Sequence, residues 1–161
     1  MDSSSSDTQS TNDEEFPPLS GSSSKIIKES QFSLHDEIVE FHDWVMKEIE
    51  LLSCAKYLIF ERIDNICKDL FPGCVLKLFG SQASGLALPD SDIDIAIIDA
   101  GVSSVQEGIA LAYAELKSHF WVISCNAIET ASVPIVKMIV KSSFFDTNVD
   151  REVKVDLTFK S

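Results

Sequence analysis

Two spacings of hydrophobic residues divide the chain into a helical part followed by a part rich in strands. Steps of three and four residues, which place side chains on one face of a helix, connect Leu34, Ile38, Phe41, Val45, Ile49 and Leu52. A second series of this kind connects Ala55, Leu58, Ile59, Ile63, Ile66 and Leu70. The pattern predicts one helix over roughly residues 34–52 and another over 55–70, ended by Phe71-Pro72-Gly73. We expect the apolar faces of both helices to pack on the sheet that follows.

From Cys74 onward, short apolar runs of strand length replace the helical spacing. These runs are Val75–Phe79, Ile93–Ile98, Phe120–Ile123, Val133–Val140 and Val153–Phe159. A loop with Gly and Ser residues connects the first two runs, and a helix-like stretch near residues 104–118 follows the second. Strands and helices in this order predict an α+β fold, or α/β mixed sheet, in which helices flank one central sheet.

The first thirty residues show neither spacing. They contain nine serines among positions 1–24, an acidic cluster at Asp13–Glu15 and few branched or aromatic side chains. Such a composition cannot bury enough apolar surface to offset the loss of chain entropy on folding. We therefore predict a disordered, Ser-rich and acidic tail over residues 1–30 and one folded domain over residues 31–161.

The net charge of the chain and the length of its apolar runs limit the kinds of function it can have. The chain has 26 acidic and 13 basic residues, for a formal net charge of −13. Alone it should repel a phosphate backbone, because nonspecific binding of nucleic acid depends on Lys and Arg. No apolar run approaches the length of a membrane span, and no signal peptide is recognisable at the N-terminus. We expect a soluble intracellular protein that does not contact membranes.

Candidate chemistry begins with two carboxylates at the start of a predicted strand. Asp92 and Asp94 should share one face of that strand, roughly 6–7 Å apart, because successive side chains alternate. Like charges beside a core are costly, and a divalent cation is the simplest compensation. A calcium-binding EF-hand loop would also begin with the pattern Asp90-x-Asp92-x-Asp94. That loop requires Gly and Glu where this chain has Ile95 and Gly101, so this alternative fails.

Two further segments strengthen the case for a phosphate and metal site. Gly80-Ser81 ends the preceding strand, where a residue without a side chain and a hydroxyl donor allow a phosphate to approach the backbone. The strict alternation of Lys154–Phe159 places Asp156 on the polar face of the last strand. If that strand lies beside the one carrying Asp92 and Asp94, three carboxylates converge, as two-metal catalysis at phosphorus requires.

These residues resemble the signature of the DNA polymerase β-type nucleotidyltransferase superfamily. Gly80-Ser81, ten residues and then Asp92-Ile93-Asp94-Ile95 are similar to that signature, and Asp156 falls at its third carboxylate. More narrowly, four segments resemble the template-independent poly(A) RNA polymerases of the DNA polymerase sigma group. These segments are Ser33–Ile38, Phe79–Leu86, Leu88–Asp94 and Val133–Lys137, and the likeness covers residues 33–161.

The resemblance implies a nucleotidyltransferase fold and the transfer of AMP from ATP to an RNA 3′-hydroxyl, with release of pyrophosphate. Asp92 and Asp94 would hold two Mg²⁺ or Mn²⁺ ions, and Asp156 would hold the ion that activates the attacking hydroxyl. Gly80 and Ser81 would bind the triphosphate of ATP. The implied partners are the RNA 3′ end, ATP and protein subunits of a nuclear RNA surveillance complex, and the implied location is the nucleus.

In that family, a mostly helical second domain follows the catalytic domain and recognises the base and the RNA. These 161 residues do not include such a domain, so they are identified as the N-terminal catalytic domain. Because positioning and exclusion of water supply much of the rate, we expect this domain alone to bind ATP poorly and to react slowly or not at all. Two alternatives stay open: a terminal uridylyltransferase, which shares these motifs, and a truncated, inactive interaction module.

Overall fold

The computed structural model describes residues 33–160, in which a five-stranded mixed sheet is accompanied by helices. The helices are α1, Leu34–Leu70; α2, Gly80–Ser84; and α3, Val105–Leu116. The strands are β1, Val75–Leu78; β2, Ile93–Ile98; β3, Val122–Ile128; β4, Ile135–Lys141; and β5, Glu152–Lys160. The predicted α+β fold with a central mixed sheet is confirmed. The predicted tail, residues 1–30, lies outside the described residues.

The strand order is β1-β2-β5-β4-β3, so β5 lies at the centre of the sheet although it comes last in the chain. Only the pair β2–β5 is parallel among the described strands, and the other three pairs are antiparallel. The core-facing side chains of β5, Val155, Leu157 and Phe159, are buried. This strand can therefore have a neighbour on each side and a helical layer over its apolar face.

The helical segment differs from the prediction of two helices. It is one helix of 37 residues, because Ser53 and Cys54 contain nothing that breaks a helix and the hydroxyl of Ser53 donates to Glu50 O at 2.7 Å. The beginning is as expected: Asp36 N donates to Ser33 Oγ, and Ser33 N donates back to Asp36 Oδ2. Among residues 33–160, none of the helices has the length and apolar character needed to span a bilayer.

The first turns of α1 do not pack as the apolar spacing predicts. Leu34, Ile38 and Phe41 are 57–73% exposed, whereas Val45 and Leu52 farther along the same face are buried. Among residues 33–160, nothing covers these first turns of the helix. The prediction that this whole apolar face packs on the sheet was therefore wrong for the first two turns.

The main core lies between α1, α3 and one face of the sheet. Ile59 and Ile63 from α1 and Ile109 from α3 are fully buried together with alternate residues of β2 and β5. The alternation of side chains sends the residues between them, including Asp94 and Asp156, to the opposite face. The core therefore determines which face of the sheet carries the polar side chains.

Strand β3 differs most from the sequence-based prediction. It begins at Val122 and continues to Ile128, whereas the apolar run predicted residues 120–123. Phe120 precedes the strand and is 81% exposed. The polar residues Ser124 and Asn126 interrupt the apolar run, so the sequence pattern did not predict the rest of the strand. Both residues are nevertheless paired with residues of β4.

A close contact between α3 and β5 gives a test of this core. A Cβ atom on Gly108 would lie 2.7 Å from two ring carbons of Phe159, whose ring also packs edge-on against Phe71. We expect Gly108→Val to lower the free energy of unfolding by about 2 kcal/mol or more, because a packed ring cannot move freely. Urea unfolding measures this change. Ala110→Val, at an exposed position of the same helix, should cost only about 0.5 kcal/mol through helix propensity. An equal loss in the two variants would contradict this packing.

Candidate active site

A row of four polar side chains crosses the face of the sheet opposite the core. Asp94 in β2 is the register partner of Asp156 in β5, and Asp156 is the partner of Lys137 in β4. Lys137 is in turn paired with Asn126 in β3. Paired residues of neighbouring strands point to the same face, so the order across the sheet is carboxylate, carboxylate, ammonium and amide.

Asp92 lies beside this row, two residues before Asp94 along the chain and one residue before β2 begins. Asp92, Asp94 and Asp156 are all partly buried. A pocket of about 220 Å³ opens on this face of the sheet. It is lined by Asp92, Ser124, Asn126, Lys137, Met138, Ile139, Lys154 and Asp156. The predicted pairing of the two carboxylate-bearing strands is thus found, and it brings Asp94 directly opposite Asp156.

Gly80 lies against Asp94, at the beginning of α2. Its φ is +65°, and a Cβ atom at this position would collide with the Asp94 carboxylate oxygen Oδ2. The turn is fixed on its other side by Phe79, whose N–H donates to Asp94 O at 3.0 Å. Only glycine meets both requirements, the left-handed backbone and the close approach. Ser81 follows in the first turn of α2 and is partly buried.

The charges of this row influence one another. The pKa of Asp94 is raised above its usual value, first by burial and then by the negative charges of Asp156 and Asp92, while Lys137 opposes the shift. The pKa of Lys137 is raised, mainly by its hydrogen bond to Asp156. Its Nζ lies 2.5 Å from Asp156 Oδ2. The ammonium therefore balances one of the three carboxylates directly.

In their present positions, these side chains do not form a complete binding site for a divalent cation. Within residues 33–160, no three His, Cys, Asp or Glu side chains are grouped closely enough to hold a metal ion. One oxygen of Asp156 is bonded to Lys137, while Asp92 and Asp94 have no such partner in the described part of the chain. The donor set itself fits, because carboxylate oxygens on one face are the ligands that Mg²⁺ and Mn²⁺ prefer.

Lys56 is a residue of the site region that the sequence reasoning missed. It projects from α1, and its Nζ donates to Ser91 O at 2.9 Å and to Pro89 O at 3.3 Å, in the loop that leads to Asp92. Burial lowers the pKa of Lys56, while the negative charges of Asp92 and Asp90 act in the opposite direction. A lysine that interrupts the apolar spacing of a helix was the only signal in the sequence.

Lys137 was also missed as a member of the site. It was noted only as the last residue of the segment Val133–Lys137. The buried neighbours Val136 and Met138 could have placed it on the polar face of β4. That β4 lies next to β5 could not be obtained from local alternation.

The fold of the described domain is also found in solved structures of other proteins. The described domain is similar to the polymerase core of TRAMP, an RNA surveillance complex, with a TM-score of 0.60 at 24% identity over 80% of this chain and 37% of that one. It is also similar to the GLD-2/RNP-8 complex, with a TM-score of 0.60 at 21% identity over 78% of this chain and 47% of that one. The fold is therefore that of a nucleotidyltransferase polymerase core, as expected from the motifs.

The family follows from the sequence itself. Residues 34–161 match the family described as "Poly(A) RNA polymerase, mitochondrial-like, central palm domain". The chain belongs to this family, which confirms the resemblance to the poly(A) RNA polymerases.

Curated relatives agree at the level of the family. The chain is 25% identical over 138 residues to the Drosophila melanogaster protein named "Inactive non-canonical poly(A) RNA polymerase protein Trf4-2", covering 80% of this chain and 29% of that protein. It is 28% identical over 131 residues to Poly(A) RNA polymerase gld-4 of Caenorhabditis elegans, covering 80% and 14%. It is 29% identical over 108 residues to human Terminal uridylyltransferase 7, covering 64% and 7%. The chain thus spans less than a third of these relatives.

Two glycines with the same backbone conformation give a test of the contact at Asp94. Gly80→Ala and Gly85→Ala both place a side chain at a positive φ, near +65° and +72°, but Gly85 has nothing within 4 Å of an added Cβ. Gly85→Ala should therefore cost only the backbone strain of about 1–2 kcal/mol. Gly80→Ala should cost about 1 kcal/mol more, because the Asp94 carboxylate must move. The measurement is urea unfolding of both variants. Equal losses would show that Gly80 is not required by Asp94.

The raised pKa of Asp94 predicts a pH-dependent stability difference. A carboxyl whose pKa is higher in the folded than in the unfolded state destabilises the fold when ionised, and this cost is complete above the folded-state value. Asp94→Asn should therefore raise the free energy of unfolding at about pH 7 in the presence of EDTA. This gain in the free energy of unfolding should shrink as the pH falls through the folded-state pKa of Asp94. It should disappear at pH values below the ordinary pKa of an Asp side chain, about 3.9. Denaturant unfolding at a series of pH values measures it, and a loss of stability at neutral pH would contradict the prediction.

Proposed function

We propose that this chain carries the catalytic domain of an enzyme that transfers AMP from ATP to RNA 3′ ends with two Mg²⁺ or Mn²⁺ ions. The observation that carries the proposal is the position of Asp94, opposite Asp156 and against Gly80, in a member of the poly(A) RNA polymerase family. The proposed domain covers residues 31–161, after a tail over residues 1–30. The activity of the whole protein is part of the proposal, because the relatives are several times longer.

Each residue has a role that its position allows. Asp92 and Asp94 would bind both cations, and Asp156 would bind the one beside the RNA 3′-hydroxyl and accept its proton. When bound, the cations stabilise the attacking and leaving oxygens of an in-line displacement. The 3′-oxygen forms a bond to the α-phosphorus of ATP, and the bond from that phosphorus to pyrophosphate breaks. Gly80 and Ser81 would hold the phosphates, since the exposed Gly80 backbone carries no side chain and Ser81 supplies a hydroxyl.

The cellular setting belongs to the same proposal. The similarity to the core of an RNA surveillance complex supports a role in RNA surveillance with protein subunits as partners. The proposed nuclear location rests only on the resemblance of the sequence motifs to the poly(A) RNA polymerases. A second similar structure, of GLD-2 with RNP-8, is also a complex of two proteins. The acidic chain offers few cations for RNA, so RNA and base recognition would depend largely on residues other than those of the described sheet.

Two other candidates have a specific observation in their favour. The likeness to Terminal uridylyltransferase 7 supports transfer of UMP, since the motifs of the two activities are shared. The relative named as inactive supports a module that binds partners without catalysis. The three carboxylates Asp92, Asp94 and Asp156 are all present in this chain, which favours catalysis over the inactive module.

A tailing assay with a carboxylate variant tests the proposal. The whole protein that contains this domain is incubated with Mn²⁺, a labelled RNA oligonucleotide and either ATP or UTP, and extension is followed on a gel. We expect extension with ATP. The double variant Asp92→Asn with Asp94→Asn should lower the rate at least about a hundredfold, because cation binding supplies several kcal/mol of transition-state stabilisation.

Asp90→Asn is the matched control, because Asp90 is an exposed carboxylate in the same loop but outside the row across the sheet. It should extend RNA at the rate of the unaltered chain. Unchanged extension by the double variant would overturn the site. Preference for UTP would replace the adenylyl assignment by the uridylyl one, and absence of extension together with intact Mn²⁺ binding would favour the inactive module.

A further inference from the structure

Lys137 makes a direct contact with the third carboxylate of the site. Its Nζ lies 2.5 Å from Asp156 Oδ2, and the carboxylate is the more buried partner, with 14% of its side chain exposed against 48% for Lys137. This is an ion pair with a hydrogen bond, in which Lys137 donates and Asp156 accepts. The oxygen used by Lys137 belongs to the residue that the proposed function assigns to the cation beside the RNA 3′-hydroxyl.

The fold itself holds Lys137 in this place. Its neighbours in β4, Val136 and Met138, are buried in the core, so alternation directs Lys137 to the polar face. The antiparallel register of β4 and β5 then sets it beside Asp156. A shift of β4 that removed Lys137 from this position would also withdraw Val136 and Met138 from the core. The ion pair therefore follows from the main packing of the domain.

An ammonium and a divalent cation cannot share this oxygen without a penalty. A Mg²⁺ ion would lie about 2.0–2.1 Å from a ligand oxygen, and an ammonium bonded to the same oxygen would then be only a few ångströms from it. Like charges at such a distance repel, even where water screens them. We propose that Lys137 competes with the divalent cation at Asp156, so that binding of this cation requires displacement of the Lys137 ammonium. This inference rests on the proposed function.

The side chain of Lys137 is suited to such an exchange. It is a flexible four-carbon stem with a point charge, and about half of it is exposed, so the ammonium can leave Asp156 without moving β4. Once displaced, it remains on the face of the sheet that a phosphate group would approach. The anionic nucleotide would then favour the displaced position of the ammonium. The cation at Asp156 is therefore retained more strongly when the substrate is present than in its absence.

The direction in which Lys137→Met changes the affinity for Mn²⁺ shows whether Lys137 competes with the cation or helps to bind it. Mn²⁺ binding to the full 161-residue chain is measured by electron paramagnetic resonance, without nucleotide or RNA. If Lys137 competes, Lys137→Met should tighten Mn²⁺ binding by about fivefold or more, the effect of one unit charge at a few ångströms in water. Lys137→Gln should change the affinity in the same direction. Lys137→Arg, which keeps the charge, should stay within about twofold of the unaltered chain.

Lys154→Met is the matched control. Lys154 lies two residues before Asp156 on the same face of β5 and lines the same pocket, but it has no ion-pair partner in residues 33–160. Its removal takes away the same charge without releasing a carboxylate, so the gain in affinity should be clearly smaller than for Lys137→Met. An equal gain would show a general effect of charge and would overturn the competition.

A double-mutant cycle localises the effect. In an Asp156→Asn background, Lys137→Met should no longer tighten Mn²⁺ binding, because the shared ligand is gone. Unchanged or weaker binding on Lys137→Met in the unaltered background overturns the inference, and so does a gain that persists with Asn at position 156. A different result marks failure of the proposed function: Mn²⁺ binding that is insensitive to Asp92→Asn with Asp94→Asn shows that the cations are not held here.

Discussion

The parallel pairing of β2 with β5 is the constraint on which the rest of this domain depends. It sets Asp94 opposite Asp156 and, by the same register, Ile93 opposite Val155 and Ile95 opposite Leu157 on the other face. A slip of one residue would turn the carboxylates into the core and the apolar side chains out of it. The register is thus fixed by burial, and the geometry of the site is a consequence of the core.

The core also offsets the cost of the site. Each fully buried Ile, Val or Leu of β2 and β5 contributes about 1.5–3 kcal/mol, whereas juxtaposed carboxylates destabilise the fold when both are ionised. Lys137 reduces this cost at Asp156, and Lys56 opposes the charge of Asp92 from the helical side. Asp94 lies between the other two carboxylates without a basic partner of its own in the described residues. In the proposed function, the electrostatic cost at Asp94 lies at a position that both cations would share.

Local patterns in the sequence predicted those features that depend on alternation and on short motifs. The apolar residues of Ile93–Ile98 and Val153–Phe159 predicted two strands and the face on which Asp94 and Asp156 lie. They did not predict that α1 continues through Ser53 and Cys54. A break in the apolar spacing can occur within one long helix as well as between two helices, so the spacing does not distinguish the two. The ion pair of Lys137 with Asp156 joins residues 19 positions apart through a strand pairing. Such a contact is a property of the register, which no local pattern contains.

The acidity of the chain also has a different meaning once the site is located. Three of the 26 acidic residues converge on one face, where they would repel both the triphosphate and the RNA that the proposed reaction must bring together. Divalent cations reverse the sign of this local field, which an ammonium on a flexible stem can do only in part. On this view, a net charge of −13 does not oppose a nucleic-acid function, because the charge that attracts phosphate is supplied at the site and is absent without the cations. The same electrostatics would confine tight association with nucleotide and RNA to the metal-bound protein.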